Sequence, residues 1–83
     1  MNEFIKLSFK NKGLILESEK CACYHCKTIM KNSEIEYLEE ADGKETAVCP
    51  HCGIDSVIDE KSVQATGKEL DADFLDALNK EAF

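Results

Sequence analysis

Apolar and polar residues along the 83-residue chain fall into four stretches. Phe4-Ile5-Lys6-Leu7-Ser8-Phe9 and Leu14-Ile15-Leu16 flank Lys10-Asn11-Lys12-Gly13, where Asn and Gly can supply turn geometry. This predicts an N-terminal hairpin over residues 1–20. Glu34-Ile35-Glu36-Tyr37-Leu38-Glu39 and Glu45-Thr46-Ala47-Val48 bracket Ala41-Asp42-Gly43-Lys44, and Asp-Gly between two β-leaning runs predicts a second hairpin. Ile54, Val57, Ile58 and Val63 then supply a loop or short strand. Residues 71–82 read as a helix whose apolar face carries Phe74, Leu75, Leu78 and Ala82. Leu70, Asp71 and Leu75 fit its N′, N-cap and N4 positions, and Asp73 and Lys80 suit the dipole at either end.

These elements make a single domain over residues 1–83 with few large side chains to bury: four Phe, two Tyr and no Trp. A chain of this size has a marginal apolar core and often needs a metal, disulfides or a partner. Its five cysteines are therefore informative. The start, Met-Asn-Glu-Phe-Ile-Lys, carries an early acid and no long apolar run, so neither a secretory signal nor a membrane span is expected and the location is read as cytoplasmic. In a reducing cytosol, an odd cysteine count with two C-x-x-C pairs reads as metal binding.

Cys23-Tyr24-His25-Cys26 and Cys49-Pro50-His51-Cys52-Gly53 share one spacing. Two intervening residues let both sulfurs of a pair face one ion. Two pairs complete the tetrahedron that zinc takes in closed structural sites. Pro50 fixes one backbone angle and Gly53 can turn the chain after the second pair. The expected ligands are Cys23, Cys26, Cys49 and Cys52, around zinc or alternatively iron. Cys21 is assigned as an accessory thiol beside the site, open to a pKa lowered by a nearby cation, although it could replace Cys23 as the partner of Cys26. His25 and His51 read as exposed knuckle residues. Four thiolates would fill the shell, H-E-x-x-H is absent and no βαβ context surrounds either pair, so no enzyme is expected. With a strand leading from the middle hairpin into Cys49, the fold class is a small metal-stabilised α+β domain. It comprises an N-terminal hairpin, a zinc ribbon over residues 21–58 and a C-terminal helix.

Charge narrows the partners. The formal net charge is −7, and every base is lysine. Residues 1–31 balance at +3 and residues 32–83 at −10. Such a chain is repelled by phosphate backbones and lacks the arginine suited to bidentate base or phosphate contacts. Another protein is the expected partner. A nucleic-acid reading rests only on Lys6, Lys10, Lys12 and Lys20.

The run Cys49-Pro50-His51-Cys52-Gly53-Ile54-Asp55-Ser56-Val57-Ile58, with Thr46 and Ala47 before it and the pair ending at Cys26, resembles a family of small bacterial and phage cytoplasmic proteins with a zinc-ribbon-like arrangement. The likeness spans residues 21–83 and implies the same four cysteine ligands, without implying an activity. The chain departs from that family at Glu81-Ala82, where an aromatic pair is expected, and at Tyr37, near a usual Trp. The C-P-x-C-G motif is also similar to the second knuckle of rubredoxins, acidic one-iron electron carriers. Lys27 stands here where those proteins carry Gly, and their Trp is missing.

Overall fold

The computed structural model describes residues 3–83; Met1 and Asn2 lie outside the described residues. The elements run α1 (Glu3–Lys6), α2 (Lys12–Glu17), β1 (Lys20–Cys23), β2 (Ile29–Lys31), a 3₁₀ turn (Asn32–Glu34), β3 (Glu36–Glu39), β4 (Glu45–Val48), β5 (Val57–Asp59), α3 (Glu60–Gln64) and α4 (Ala72–Ala82). This is a small α+β fold of short antiparallel strands with a C-terminal helix.

The N-terminal hairpin expected from the sequence is not formed; α1 and α2 occupy its place. Between residues 4 and 18 the buried positions are Phe4, Ser8, Asn11, Ile15 and Ser18. Steps of four and three residues have the helical period, whereas a strand would bury alternate residues. Polar side chains fill three of those inward positions, and each is hydrogen-bonded. Ser8 Oγ donates to the Ile5 carbonyl at 2.6 Å and Ser18 Oγ to that of Lys20 at 3.0 Å.

Asn11 does not serve the turn that its sequence context implies. It lies inside, donating from Nδ2 to the Val57 carbonyl at 2.7 Å and accepting at Oδ1 from the Ala47 amide at 2.9 Å. The side chain thereby joins β5 to β4, strands of two different sheets.

β1 is the centre of a sheet of order β2-β1-β5, antiparallel throughout, with Cys21 opposite Met30 and Asp59, and Cys23 opposite Val57. The two faces of β1 feed separate cores. Ala22 turns with Ile58 toward Phe4, Val63, Leu70, Leu75 and Leu78. Cys21 and Cys23 turn with Val57 toward Ile15, Met30, Ile35, Ala47 and Cys49. α4 therefore covers one face of the sheet, and α2 with the β3–β4 hairpin covers the other.

The middle hairpin matches expectation: Tyr37 pairs with Ala47 and Leu38 with Thr46, and Gly43 takes the left-handed φ of 84° that the turn requires. α4 starts as its sequence dictates, with the Phe74 amide donating to Asp71 Oδ1 at 2.9 Å and Leu70 and Leu75 buried across the cap. The stretch after the second cysteine pair becomes β5 and then α3, which Asp59 caps by accepting from the Ser62 amide at 3.0 Å.

Asn11→Ala removes two buried hydrogen bonds and strands the Ala47 amide and the Val57 carbonyl. We expect it to lower stability by about 2–4 kcal/mol. Chemical denaturation of the metal-loaded protein checks this, with exposed Ser33→Ala as a control expected to stay within about 0.5 kcal/mol.

Candidate metal centre

β1 ends on Cys23, and β4 runs straight into Cys49, so the last strand residue or the one after it opens each knuckle. The two knuckles then fold alike. The Cys23 amide donates to the Thr28 carbonyl and the Cys49 amide to that of Ile54, both at 3.0 Å and both spanning five residues. The residue after the second cysteine is left-handed in each, Lys27 at φ 63° and Gly53 at φ 76°. Backbone amides point at the leading sulfurs: those of His25 and Cys26 at Cys23, those of His51 and Cys52 at Cys49. Two C-x-x-C segments of different sheets thus adopt one local geometry.

This geometry brings Cys23, Cys26, Cys49 and Cys52 together, with all four sulfurs within 4.8 Å of one another. Two close approaches run between knuckles, Cys26 to Cys49 at 3.5 Å and Cys23 to Cys52 at 3.6 Å. A tetrahedron with metal–sulfur arms of about 2.3 Å has sulfur–sulfur edges of about 3.8 Å. The cluster is thus compatible with one metal ion in a four-sulfur site.

Electrostatics separates the four thiols. Burial pushes the Cys23 thiol up, against hydrogen bonds from Ser56 and from the Cys26 and His25 amides. Burial likewise pushes Cys49 up to about 12, against the Cys52 and His51 amides. Burial acts upward on Cys26 too, but there hydrogen bonding with the Thr28 hydroxyl and amide and with the Cys49 and Cys23 sulfurs prevails and brings it down to about 6. A divalent cation in the cluster would release the protons that burial holds on Cys23 and Cys49.

Neighbours fix the sulfurs. Ser56 Oγ lies 2.9 Å from Cys23 Sγ, and Thr28 Oγ1 lies 3.2 Å from Cys26 Sγ. α4 holds the first knuckle from outside. Asn79 Nδ2 donates to the Tyr24 and His25 carbonyls at 3.0 and 3.1 Å, and Lys27 pairs with Asp76 at 2.7 Å. Sequence reasoning did not find Ser56, Thr28 or Asn79. Only Thr28 carries a signal: it follows the first knuckle as Ile54 follows the second.

The other candidates lie apart from the cluster. His25 and His51 are exposed, as expected, and the His25 ring packs edge-on against Phe83 at 4.8 Å. Cys21 is fully buried on the same face of β1 as Cys23 and donates to the Met30 carbonyl at 3.7 Å. No cation lowers its pKa. Burial, followed by the negative charges of Asp59 and Glu34, pushes it up to about 12, so it remains a neutral core thiol.

Two variants separate these roles. Cys49→Ser is expected to abolish stoichiometric metal binding. Cys21→Ser is expected to retain it while losing about 1–2 kcal/mol of stability to the poorer fit of a hydroxyl in an apolar site. Metal content after gel filtration, together with denaturation midpoints, distinguishes the two. Ser56→Ala is expected to weaken metal affinity by about 10–100-fold without unfolding the protein, as measured by competition with a chromogenic chelator.

No family model, curated protein or solved structure matches this chain.

Proposed function

We propose that the chain is a non-enzymatic, cytoplasmic binding module held together by a structural zinc in a closed four-thiolate site, built on a ribbon of the zinc-ribbon kind. The observation that carries this reading is the convergence of the Cys23, Cys26, Cys49 and Cys52 sulfurs within 4.8 Å of one another. Four thiolates leave no coordination position for water or substrate, which is the arrangement of a structural zinc rather than a catalytic one. The small cores on either side of the β2-β1-β5 sheet give the metal a structural task. Metal binding to cysteine-ligated peptides can contribute on the order of 10–16 kcal/mol to folding.

The surface supports a protein partner over a nucleic acid. Lys10, Lys12 and Lys20, three of the four lysines behind the nucleic-acid reading, pair with Asp42, Glu45 and Glu60. Their charge is thereby offset at the surface, while the chain as a whole carries −7. No helix among the described residues is long and apolar enough to cross a membrane.

Iron is the second reading, favoured by the amides aimed at Cys23 and Cys49, because hydrogen bonds to thiolate sulfur tune an iron site. Elemental analysis of protein produced without excess of either metal separates the two. Zinc at one equivalent, no visible colour and no redox couple are expected; red protein with a reversible couple would favour the electron carrier.

Strong chelation should unfold the reduced protein cooperatively, and a chain that stays folded without metal would remove the structural role. Affinity should also fall with pH. Burial keeps Cys23 and Cys49 protonated, so the metal displaces protons and binds more weakly between about pH 8 and pH 6. Competition titrations across that range check the sign.

A further inference from the structure

A groove of about 750 Å³ runs along the side of the molecule between the α1–α2 turn, the segment after the second knuckle and the end of α4. Phe9 and Phe83 line it and are 51% and 64% exposed. Ser8, Tyr24 and Ser56 form its buried floor; among the described residues, Asp55 and Glu81 are the only charged side chains lining it and no lysine does. We propose that this groove docks a short segment of a partner protein that carries an aromatic or large aliphatic side chain next to a lysine or arginine. The proposal rests on the reading of the chain as a binding module and names where and what it binds.

The backbone that carries Phe9 and the ring of Phe83 are held in place before any partner arrives. Ser8 and Asn11 are both buried and hydrogen-bonded, which leaves Phe9 on the outer side of the turn. Lys10 takes a left-handed φ of 50°, and its amide donates to Thr46 Oγ1 at 2.9 Å while its ammonium pairs with Asp42 at 2.8 Å. On the other side, Phe83 packs on His25 at 4.8 Å and on Tyr24 at 5.9 Å between ring centres. Exposed aromatic rings on a fixed frame lose little freedom on binding, as interaction surfaces require.

Charge selects the occupant. A rim whose charged members are both acidic, on a chain of −7, attracts a cationic segment and repels an anionic one. A second copy of this chain would bring its own excess of acids to the same rim. Apolar contact with Phe9 and Phe83 and ionic contact with Asp55 therefore specify a basic amphipathic segment.

The groove also adjoins the metal centre. Ser56 lines it while its Oγ lies 2.9 Å from Cys23 Sγ, and Tyr24 directly follows Cys23. An occupant that contacts Ser56 would perturb the hydrogen bond to a ligand sulfur, which gives binding a spectroscopic readout.

The test uses the full chain loaded with zinc or cobalt(II), and two capped decapeptides: one alternating leucine or phenylalanine with lysine, the other carrying glutamate for lysine. The lysine peptide is expected to shift the amide resonances of Ser8, Phe9, Tyr24, Asp55, Ser56 and Phe83 saturably and to move the sulfur-to-cobalt charge-transfer bands. The glutamate peptide is expected to do neither. Phe9→Ala and Asp55→Lys, both at exposed positions, should each weaken binding by about fivefold or more. Equal response to both peptides, no response to either, or indifference to both substitutions would overturn the proposal. Shifts gathered instead on the outer faces of β3 or α4 would move the binding surface elsewhere and leave the module reading standing. Self-association that Phe9→Ala abolishes would make a second copy the occupant and overturn the assignment to a basic partner.

Discussion

The structure depends on the meeting of two strands that do not pair with each other. β1 is the middle strand of one sheet and β4 belongs to a separate two-stranded sheet, yet each delivers a cysteine knuckle to the same point. No backbone ladder connects the two sheets. Asn11 and the core around Ile15 and Ala47 join them, and the four sulfurs meet between them. Of these three, only the cluster could take up a divalent ion, so the structural metal proposed above would act where the two sheets meet.

Polar groups share the interior with the apolar core. Ser8, Asn11, Ser18, Thr46, Ser56 and Asp59 are all buried. Most serve as joints. Asn11 connects sheets, Thr46 receives the Lys10 amide and Ser56 meets a cysteine sulfur. Asp59 caps α3 through Oδ2, while its Oδ1 and the Tyr37 hydroxyl have no hydrogen-bond partner within the described residues. Each joint replaces apolar area with directional bonding. Losing a single partner is therefore more damaging here than in a large apolar core.

The same joints explain how much the sequence disclosed. The middle hairpin, the capped C-terminal helix and the two cysteine pairs were legible because each signal is local: Asp42-Gly43 for the turn, Leu70-Asp71 with Leu75 for the cap, and the repeated spacing for the knuckles. The N-terminal region was not legible, since its helical period is carried by Ser8, Asn11 and Ser18, which a hydrophobic pattern counts as outward. For Asn11, what faces inward is decided by hydrogen-bond partners on β4 and β5 that lie far away in sequence, whereas Ser8 and Ser18 bond to carbonyls only three and two residues away. The raised pKa of Cys21 was not legible for a related reason. Its environment is set by the pairing of β1 with β5, which places Asp59 opposite it, and no feature of the first knuckle announces that register.

The two knuckles are alike in backbone but not in what they cost. Gly53 adopts its left-handed conformation freely, whereas a side chain at Lys27 in that region costs roughly 1–2 kcal/mol. The exposed ion pair from Lys27 to Asp76, screened by solvent, returns little of this. It therefore does not by itself account for a lysine at this position. Its neighbours complete the explanation. Asp76 and Asn79 stand one helical turn apart on α4, and together they grip the side chain of Lys27 and the carbonyls of Tyr24 and His25. Strain at Lys27 is tolerated because the residue helps fasten α4 to the first knuckle, and Phe83 beyond it packs on His25. The helix is thus fastened, through the left-handed lysine and the two carbonyls, to the knuckle that carries Cys23 and Cys26.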